Sequence, residues 1–204
     1  MKVIKNIIFD FGDVFLNLDK PSTQKYLEAF GISEFDHETI AANKKYEKGL
    51  ITSDDFIQFY TDKFEGLTKA HFITAWNSIL KDLPIHRLEF LKQLKTQNQY
   101  QLFLLSNTND LHINWVKANI DSYKTFKSCF ESFYLSHEIN LRKPDASIFE
   151  FVLDKNNLRT DETLFIDDTK EHIESAKCLN LQTWHLNPKT DDVTQLFEQK
   201  HLNL

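Results

Sequence analysis

The chain has 204 residues, of which 41% are hydrophobic and 18 are Phe, so it can bury a core large enough for one domain with an insertion. Its formal net charge of -6 argues against nucleic acid as a partner, because a phosphate backbone is bound by a concentrated basic surface. Cys129 and Cys178 show no CxxC spacing and are too few for a disulfide framework. No signal peptide precedes the first strand and no apolar run approaches membrane-spanning length, so we expect a cytoplasmic protein that does not bind membranes.

The first predicted element is a buried strand that ends on a carboxylate. The apolar run 7–9 leads directly into Asp10, and Gly12 and Asp13 follow. Such a run is typical of a parallel strand that is buried on both faces. In open α/β sheets, ligands bind beyond the carboxyl ends of the strands, so Asp10 is expected at the floor of a site. Taken alone, the same pattern also fits an ordinary turn.

A block of helical patterns follows, without strand alternation. We predict helices over 22–30, 36–48 and 68–80, and a further helix that begins with a capping-box pattern at Thr52 and Asp55 and carries Phe56, Phe59, Tyr60 and Phe64 as an apolar stripe. Pro21 and Pro84 lie near the ends of the block, where the chain would cross between two units. The block predicts an inserted helical cap over 19–84.

The second half of the chain alternates between strand and helix. After a helix over 86–95, we predict strands over 101–105, 132–135, 163–166 and 182–186, separated by helices over 109–120, 145–155 and 170–179. This alternation is typical of a parallel sheet with right-handed crossovers. The predicted fold class is therefore α/β: a Rossmann-like parallel sheet core formed by 1–18 and 85–204, flanked by helices, with the small all-helical cap inserted.

Polar groups follow two further strands of this sheet and precede one of its helices. Ser106 and Asn107 follow the strand over 101–105, Lys143 precedes a helix, and Asp167 and Asp168 follow the strand over 163–166. Considered alone, each has an ordinary structural explanation: Ser106 as a helix cap, Lys143 as a solvated lysine, and Asp167 with Asp168 as a turn. Together with Asp10, they supply a nucleophile, a hydroxyl and amide group, a cation and a carboxylate pair.

In this order, the residues resemble the motifs of the haloacid dehalogenase superfamily, whose members are mostly Mg²⁺-dependent phosphatases. The stretch 105–109 with His112, and the stretch 141–144, resemble more closely a branch with a small helical cap. That branch includes the bacterial α-D-glucose-1-phosphate phosphatases. The resemblance implies Mg²⁺ as cofactor and a small phosphorylated metabolite as substrate, with a sugar phosphate such as glucose 1-phosphate as one candidate.

The resemblance also implies a role for each motif residue. Asp10 would attack phosphorus and hold the metal, with the backbone carbonyl of Gly12, Asp168 and, directly or through water, Asp167 as further ligands. Catalysis would depend on Asp10, Ser106 and Lys143. The aspartyl phosphate formed on Asp10 would then be hydrolysed by water.

The substrate phosphate would be bound by three of these positions. Lys143 would neutralise the nucleophile and a phosphoryl oxygen, Ser106 would donate a hydroxyl hydrogen bond, and the backbone at Asn107 would add another.

Gly12 departs from the pattern of most phosphatases of the superfamily, which have a second Asp at this position as general acid/base. Such assistance typically contributes about 10²–10⁴-fold to the rate. The resembling glucose-1-phosphate phosphatase branch also has Gly here, so the departure does not by itself imply inactivity. Asp13 is adjacent and is expected to be a loop residue.

Secondary candidates lie on the cap and near the second strand. Trp76 and Tyr46 are candidates for the cap side of a pocket, and the turn 46–49 is a candidate specificity element. His112 is expected to be a structural residue rather than one with a direct role in the reaction.

Two other functions fit the same residues. A 2-haloacid dehalogenase would use the same Asp nucleophile on carbon without a metal, but the adjacent carboxylates at 167 and 168 favour phosphate chemistry. A non-catalytic binding protein on this fold is the other alternative, and the intact motif residues weigh against it. The sequence leaves the oligomeric state open.

Overall fold

A single parallel sheet forms the centre of the molecule. The computed structural model describes residues 3–204. The sheet has the order β3-β2-β1-β4-β5 and every pair of neighbours is parallel, with β1 at Asn6–Phe9, β2 at Gln101–Ser106, β3 at Ser132–Leu135, β4 at Thr163–Asp167 and β5 at Gln182–His185. The predicted parallel α/β sheet is confirmed, and the observed strands agree with the predicted ones to within a residue.

The central position of β1 determines where the site lies. Phe9 pairs with Leu104 of β2 on one side and with Ile166 of β4 on the other. The residues that follow these three strands therefore meet at one edge of the sheet. The three apolar side chains of β1 are fully buried and alternate between two apolar clusters, Ile7 and Phe9 in one and Ile8 in the other.

Four helices lie between β1 and the rest of the core: α1 (Ser22–Glu28), α2 (His37–Glu47), α3 (Ser53–Lys63) and α4 (Lys69–Asn77). The capping box predicted at Thr52 and Asp55 begins α3. These helices have an apolar cluster of their own, whose members include Leu27, Tyr46, Phe56, Tyr60, Phe72 and Trp76. A bridge between Leu18 and Leu80 brings the two ends of the block together. We propose that 19–84 is the cap and that 1–18 and 85–204 form the core domain.

Six helices accompany the remaining strands: α5 (Ile85–Gln97), α6 (Asp110–Asn119), α7 (Tyr123–Lys127), α8 (Ser136–Ile139), α9 (Ala146–Lys155) and α10 (Lys170–Cys178). The short helices α7 and α8 were not predicted, because four or five residues are too few to establish a helical period. No helix within residues 3–204 has the length and apolar character needed to span a membrane.

Candidate active site

The predicted site residues meet at the carboxyl edge of β1, β2 and β4. Asp10 follows β1, and its backbone N–H donates to the carbonyl of Ile166 at 2.9 Å. Ser106 is the last residue of β2 and Asp167 the last of β4. Lys143 reaches this edge from the segment between α8 and α9. The structure therefore brings together residues that are up to 158 positions apart in the chain.

The Lys143 ammonium is the electrostatic centre of this group. The side chain is fully buried, and Nζ donates to Asp10 Oδ1 at 2.7 Å, Asp167 Oδ2 at 2.7 Å and the carbonyl oxygen of Leu105 at 2.8 Å. Its three protons are therefore matched by three acceptors. A buried ammonium without such partners would be strongly disfavoured, so Lys143 and the two carboxylates form one electrostatic unit.

The two carboxylates have opposite pKa shifts. Burial raises the pKa of Asp10 to about 6, against the lowering effect of Lys143 and with a further raising effect from Asp167. Burial also disfavours the charged form of Asp167, but Lys143 and His172 outweigh it and lower its pKa to about 2. Burial lowers the pKa of Lys143, yet the two carboxylates outweigh it and the net shift is upward. One ammonium thus faces two carboxylates. Its single positive charge does not balance their two negative charges, so the site favours a further cation.

Asp167 and Asp168 differ in how their oxygens are used. Asp167 Oδ1 accepts from the N–H of Thr169 at 2.8 Å, Oδ2 accepts from Lys143, and His172 Nδ1 lies 3.0 Å from both oxygens. Asp168 Oδ2 pairs with Lys20 Nζ at 2.6 Å, and its Oδ1 has only a long contact of 3.3 Å with the hydroxyl of Thr169. Asp168 is therefore better placed than Asp167 to give an oxygen to a metal.

A metal ion fits this donor set. Asp10, Asp167 and Asp168 each offer an oxygen, and these oxygens lie within 4.8 Å of one another. Clustered carboxylates of this kind suit hard cations such as Mg²⁺, which take oxygen ligands. The structure thus brings the three predicted carboxylates together, and the ligand set itself, with the Gly12 carbonyl, stays a prediction.

Gly12 and Asp13 form the loop that follows Asp10. Gly12 lines the cavity beside the site and is not among the glycines with positive φ. Asp13 has φ 55°, accepts from the N–H of Leu18 through Oδ1 at 3.0 Å and pairs with Lys20 through Oδ2 at 2.9 Å. Both of its oxygens therefore brace the loop, as expected for a loop residue.

The side chain of Asn107 binds the backbone of Lys143; the role expected for the backbone at Asn107 stays a prediction. Its side chain donates to the carbonyl of Lys143 at 2.8 Å and accepts from the N–H of Lys143 at 2.9 Å. This pair of bonds fixes the backbone that carries the buried lysine. Ser106 lines the cavity, as Asn107 does, and its hydroxyl makes no hydrogen bond to any other described residue. That hydroxyl is available to a ligand.

A cavity of about 290 Å³ lies between the cap and the core, next to these residues. The core side contributes Gly12, Ser106 and Asn107, and the polar cap residues are Lys20, Thr23, Gln24 and Glu47. Trp76 and Phe35 supply aromatic surface. The volume suits a small ligand, and the polar groups converge from both sides.

Three residues at the site were not predicted to belong to it. Lys20 lies beside the carboxylates although it is in the predicted cap, His172 contacts Asp167 from α10, and Arg142 pairs with Glu47 across the junction. Their roles depend on the folded geometry. Only Arg142 lay in a stretch that the sequence had singled out.

Three of the secondary candidates, His112, Trp76 and Tyr46, join the cap to the core. His112 Nε2 lies 3.0 Å from the carbonyl of Trp76, and the two rings are stacked at 5.5 Å. Trp76 lines the cavity as expected, whereas the hydroxyl of Tyr46 accepts from the N–H of Leu111 at 3.0 Å and is not part of the cavity wall. Burial lowers the pKa of His112 to about 4, so the ring is neutral, as a structural residue requires.

Comparison with known proteins gives matches over nearly the whole chain. Residues 7–185 match the family described as haloacid dehalogenase-like hydrolase. A curated D-ribitol-5-phosphate phosphatase from Bacteroides thetaiotaomicron is 28% identical over 191 residues, which cover 89% of this chain and 91% of the relative.

Solved structures give similar matches. A HAD family enzyme from Bacteroides thetaiotaomicron, in complex with magnesium, has a TM-score of 0.85 at 33% identity and covers 97% of this chain and 100% of its own. The wild-type protein in complex with magnesium and inorganic phosphate has a TM-score of 0.82 at 34% identity, covering 95% and 99%.

Proposed function

We propose that this chain, which belongs to the haloacid dehalogenase-like hydrolases, is a Mg²⁺-dependent phosphatase that acts on a small polyol or sugar phosphate through an aspartyl-phosphate intermediate. The match to this family confirms the resemblance drawn from the sequence motifs at the level of the superfamily. The narrower resemblance to glucose-1-phosphate phosphatases stays a prediction. The observation that carries the proposal is the contact of Asp10 with Lys143 beside Asp168, next to the free hydroxyl of Ser106.

The metal would be held by Asp10, Asp168 and the backbone carbonyl of Gly12, with Asp167 acting through water. When bound, Mg²⁺ supplies positive charge that offsets the repulsion between a carboxylate and a phosphate dianion and lowers the pKa of Asp10. The raised pKa of the buried Asp10 carboxylate supports this arrangement, because a bound cation would stabilise the charged form that burial disfavours. The magnesium complexes of the similar structures support the choice of ion.

The first chemical step is performed by Asp10. One of its oxygens attacks phosphorus, and the bond from phosphorus to the substrate oxygen breaks with its electron pair on the leaving group. Lys143 holds Asp10 in position and stabilises the charge on the transferring phosphoryl group, and Ser106 donates to a phosphoryl oxygen. Water then attacks phosphorus, releases phosphate and restores the carboxylate of Asp10.

The cavity supports the substrate class. The carboxylate of Glu47 and the amide of Gln24 can hydrogen-bond hydroxyl groups, whereas Trp76 offers an apolar face to the C–H side of a polyol or a sugar ring. Similarity to a D-ribitol-5-phosphate phosphatase supports a polyol phosphate. We also propose that the protein acts in the cytoplasm, where small phosphorylated metabolites occur.

A phosphatase panel tests the proposal. Ribitol 5-phosphate, glucose 1-phosphate and p-nitrophenyl phosphate are assayed for phosphate release with Mg²⁺ and with a chelator, and a 2-haloacid is assayed for halide. We expect phosphate release that chelation abolishes and added Mg²⁺ restores. Halide release that persists in chelator would favour the dehalogenase, and no turnover of any substrate would favour the non-catalytic alternative.

A further inference from the structure

The turn that ends α2 reaches from the cap to the segment that carries Lys143. Glu47 Oε2 accepts from Arg142 Nε at 2.9 Å and Nη2 at 2.8 Å, and both side chains are largely buried. The carbonyl of Lys48 accepts from Asn140 Nδ2 at 2.7 Å. A second ion pair, between Lys48 and Asp145, is more exposed and should contribute less. The partners Asn140, Arg142 and Asp145 flank Lys143 on both sides.

Gly49 allows this close approach. It has φ +64°, and a Cβ at this position would lie 2.1 Å from the carbonyl oxygen of His137. Gly31 and Gly66 have φ +78° and +77°, but a Cβ there would meet nothing within 4 Å. All three positions favour glycine because of their backbone conformation. At Gly49 alone of the three, a side chain would also block the contact with the core.

The opposite side of the same segment is held by the core. Asn107 binds both the N–H and the carbonyl of Lys143, and the Lys143 ammonium is held by its three acceptors. The backbone around Lys143 is therefore fixed from the core by Asn107 and from the cap by the turn 46–49. Loss of the cap contacts would leave one of these two supports.

We propose that the cap turn positions Lys143, with Glu47, Gly49 and Arg142 as positioning residues for the phosphoryl transfer. The inference rests on the proposed function, since it assigns a task to residues that act through Lys143. Docking of the turn fixes the segment 137–145, and the ammonium then meets Asp10 in the geometry that the reaction needs. A misplacement of about 1 Å is sufficient to cost roughly 10²-fold in rate.

Gly49→Ala and Gly66→Ala form the matched pair that tests this. Both changes introduce the same backbone strain, and only Gly49→Ala obstructs docking of the turn. With p-nitrophenyl phosphate and saturating Mg²⁺, we expect Gly49→Ala to lower kcat roughly 10- to 100-fold with a small change in KM, and Gly66→Ala to stay within about twofold of wild type. Hydrogen exchange in 137–145 should become faster in Gly49→Ala only.

Arg142→Gln provides a second test, because Arg142 does not line the cavity. It should also lower kcat more than it changes KM, and the double variant Glu47→Gln/Arg142→Gln should lose little more than Arg142→Gln alone, as expected for two partners of one contact. Unchanged exchange in β1 would show that the variants are folded.

The outcomes separate the two proposals. If the wild type is active and both Gly49→Ala and Arg142→Gln keep its kcat, the positioning role is wrong and the proposed function stands. If the wild type hydrolyses no phosphate ester, the proposed function and the positioning role fail together. In that case, faster hydrogen exchange of 137–145 in Gly49→Ala would show only that the turn docks on this segment.

Discussion

The imidazole of His112 donates from Nε2 to the backbone carbonyl of Trp76 at 3.0 Å, while Nδ1 faces the side-chain amide of Asn109 at 3.1 Å. The amide NH₂ donates to Nδ1, so both ring nitrogens are satisfied only in the neutral imidazole. The Nε2 bond thus joins a core helix to a cap helix, and a second proton on the ring, at Nδ1, would face the donating amide of Asn109.

This contact predicts a pH-dependent stability. The pKa of His112 is about 4 in the folded protein, against an ordinary value of 6.5, so below pH 6.5 the unfolded chain binds a proton that the folded protein does not. The free energy of unfolding should therefore decrease as the pH falls from 6.5 towards 4. Because the ring is partly exposed at the cavity wall, we expect a loss of about 1–3 kcal/mol.

Urea unfolding of wild type and His112→Gln at a series of pH values measures this effect. A glutamine can still donate to Trp76 but does not titrate, so its unfolding free energy should change less over this range. Parallel curves for the two proteins would show that another group is responsible.

Removal of the buried ammonium should make stability depend more on the metal. In Lys143→Met, Asp10 and Asp167 would face each other without their shared cation, and we expect a loss of about 3–5 kcal/mol in the absence of metal. Added Mg²⁺ should raise the melting temperature more in the variant than in wild type, because it would replace part of the missing charge. An equal shift in both proteins would contradict the shared electrostatic unit.

Asp168→Ala should weaken metal binding. We expect its Mg²⁺ dissociation constant, measured by calorimetry, to increase roughly tenfold or more, since a direct oxygen ligand is removed. Asp13→Asn is the control: it removes the other carboxylate partner of Lys20 but no candidate ligand. If both variants bind Mg²⁺ as wild type does, Asp168 is not a ligand.

The missing side chain at Gly12 should make the rate depend on the leaving group. Without an acid at this position, kcat/KM should fall steeply as the pKa of the leaving alcohol increases, and sugar 1-phosphates should react faster than phosphates of primary alcohols. Gly12→Asp should reduce this dependence and Gly12→Ala should not. The backbone does not oppose either change, although a Cβ would lie 2.7 Å from Leu18 Cδ1, so that flexible side chain must shift.

The wild-type dependence itself is the critical result. A flat dependence, with chemistry shown to be rate-limiting, would mean that another group supplies the proton.

Much of this fold could be predicted from local pattern. Asn180 follows the predicted helix over 170–179 and has φ 63°, in line with the preference for Asn or Gly just after a helix. The strand-end position of Asp10, Ser106 and Asp167 also followed from the pattern, because the carboxyl ends of parallel strands meet at one edge.

Contacts between distant segments could not be predicted in this way. The role of the Asn107 side chain as a clamp on Lys143, and the pairing of Lys20 with Asp168, depend on how separate loops approach each other. No periodicity or spacing within one segment encodes such contacts. The same holds for Glu47 and Arg142, which belong to different parts of the structure and are 95 positions apart.

The central claim is that Asp10 is the nucleophile of a phosphatase, and turnover of Asp10→Asn tests it most directly. Phosphate release from the best substrate of the panel is measured for wild type and Asp10→Asn at saturating Mg²⁺, with circular dichroism to verify the fold. We predict that the variant is folded and releases no phosphate above background, because a neutral amide neither attacks phosphorus well nor gives the metal an anionic ligand. Wild-type turnover by a folded Asp10→Asn protein would contradict the account.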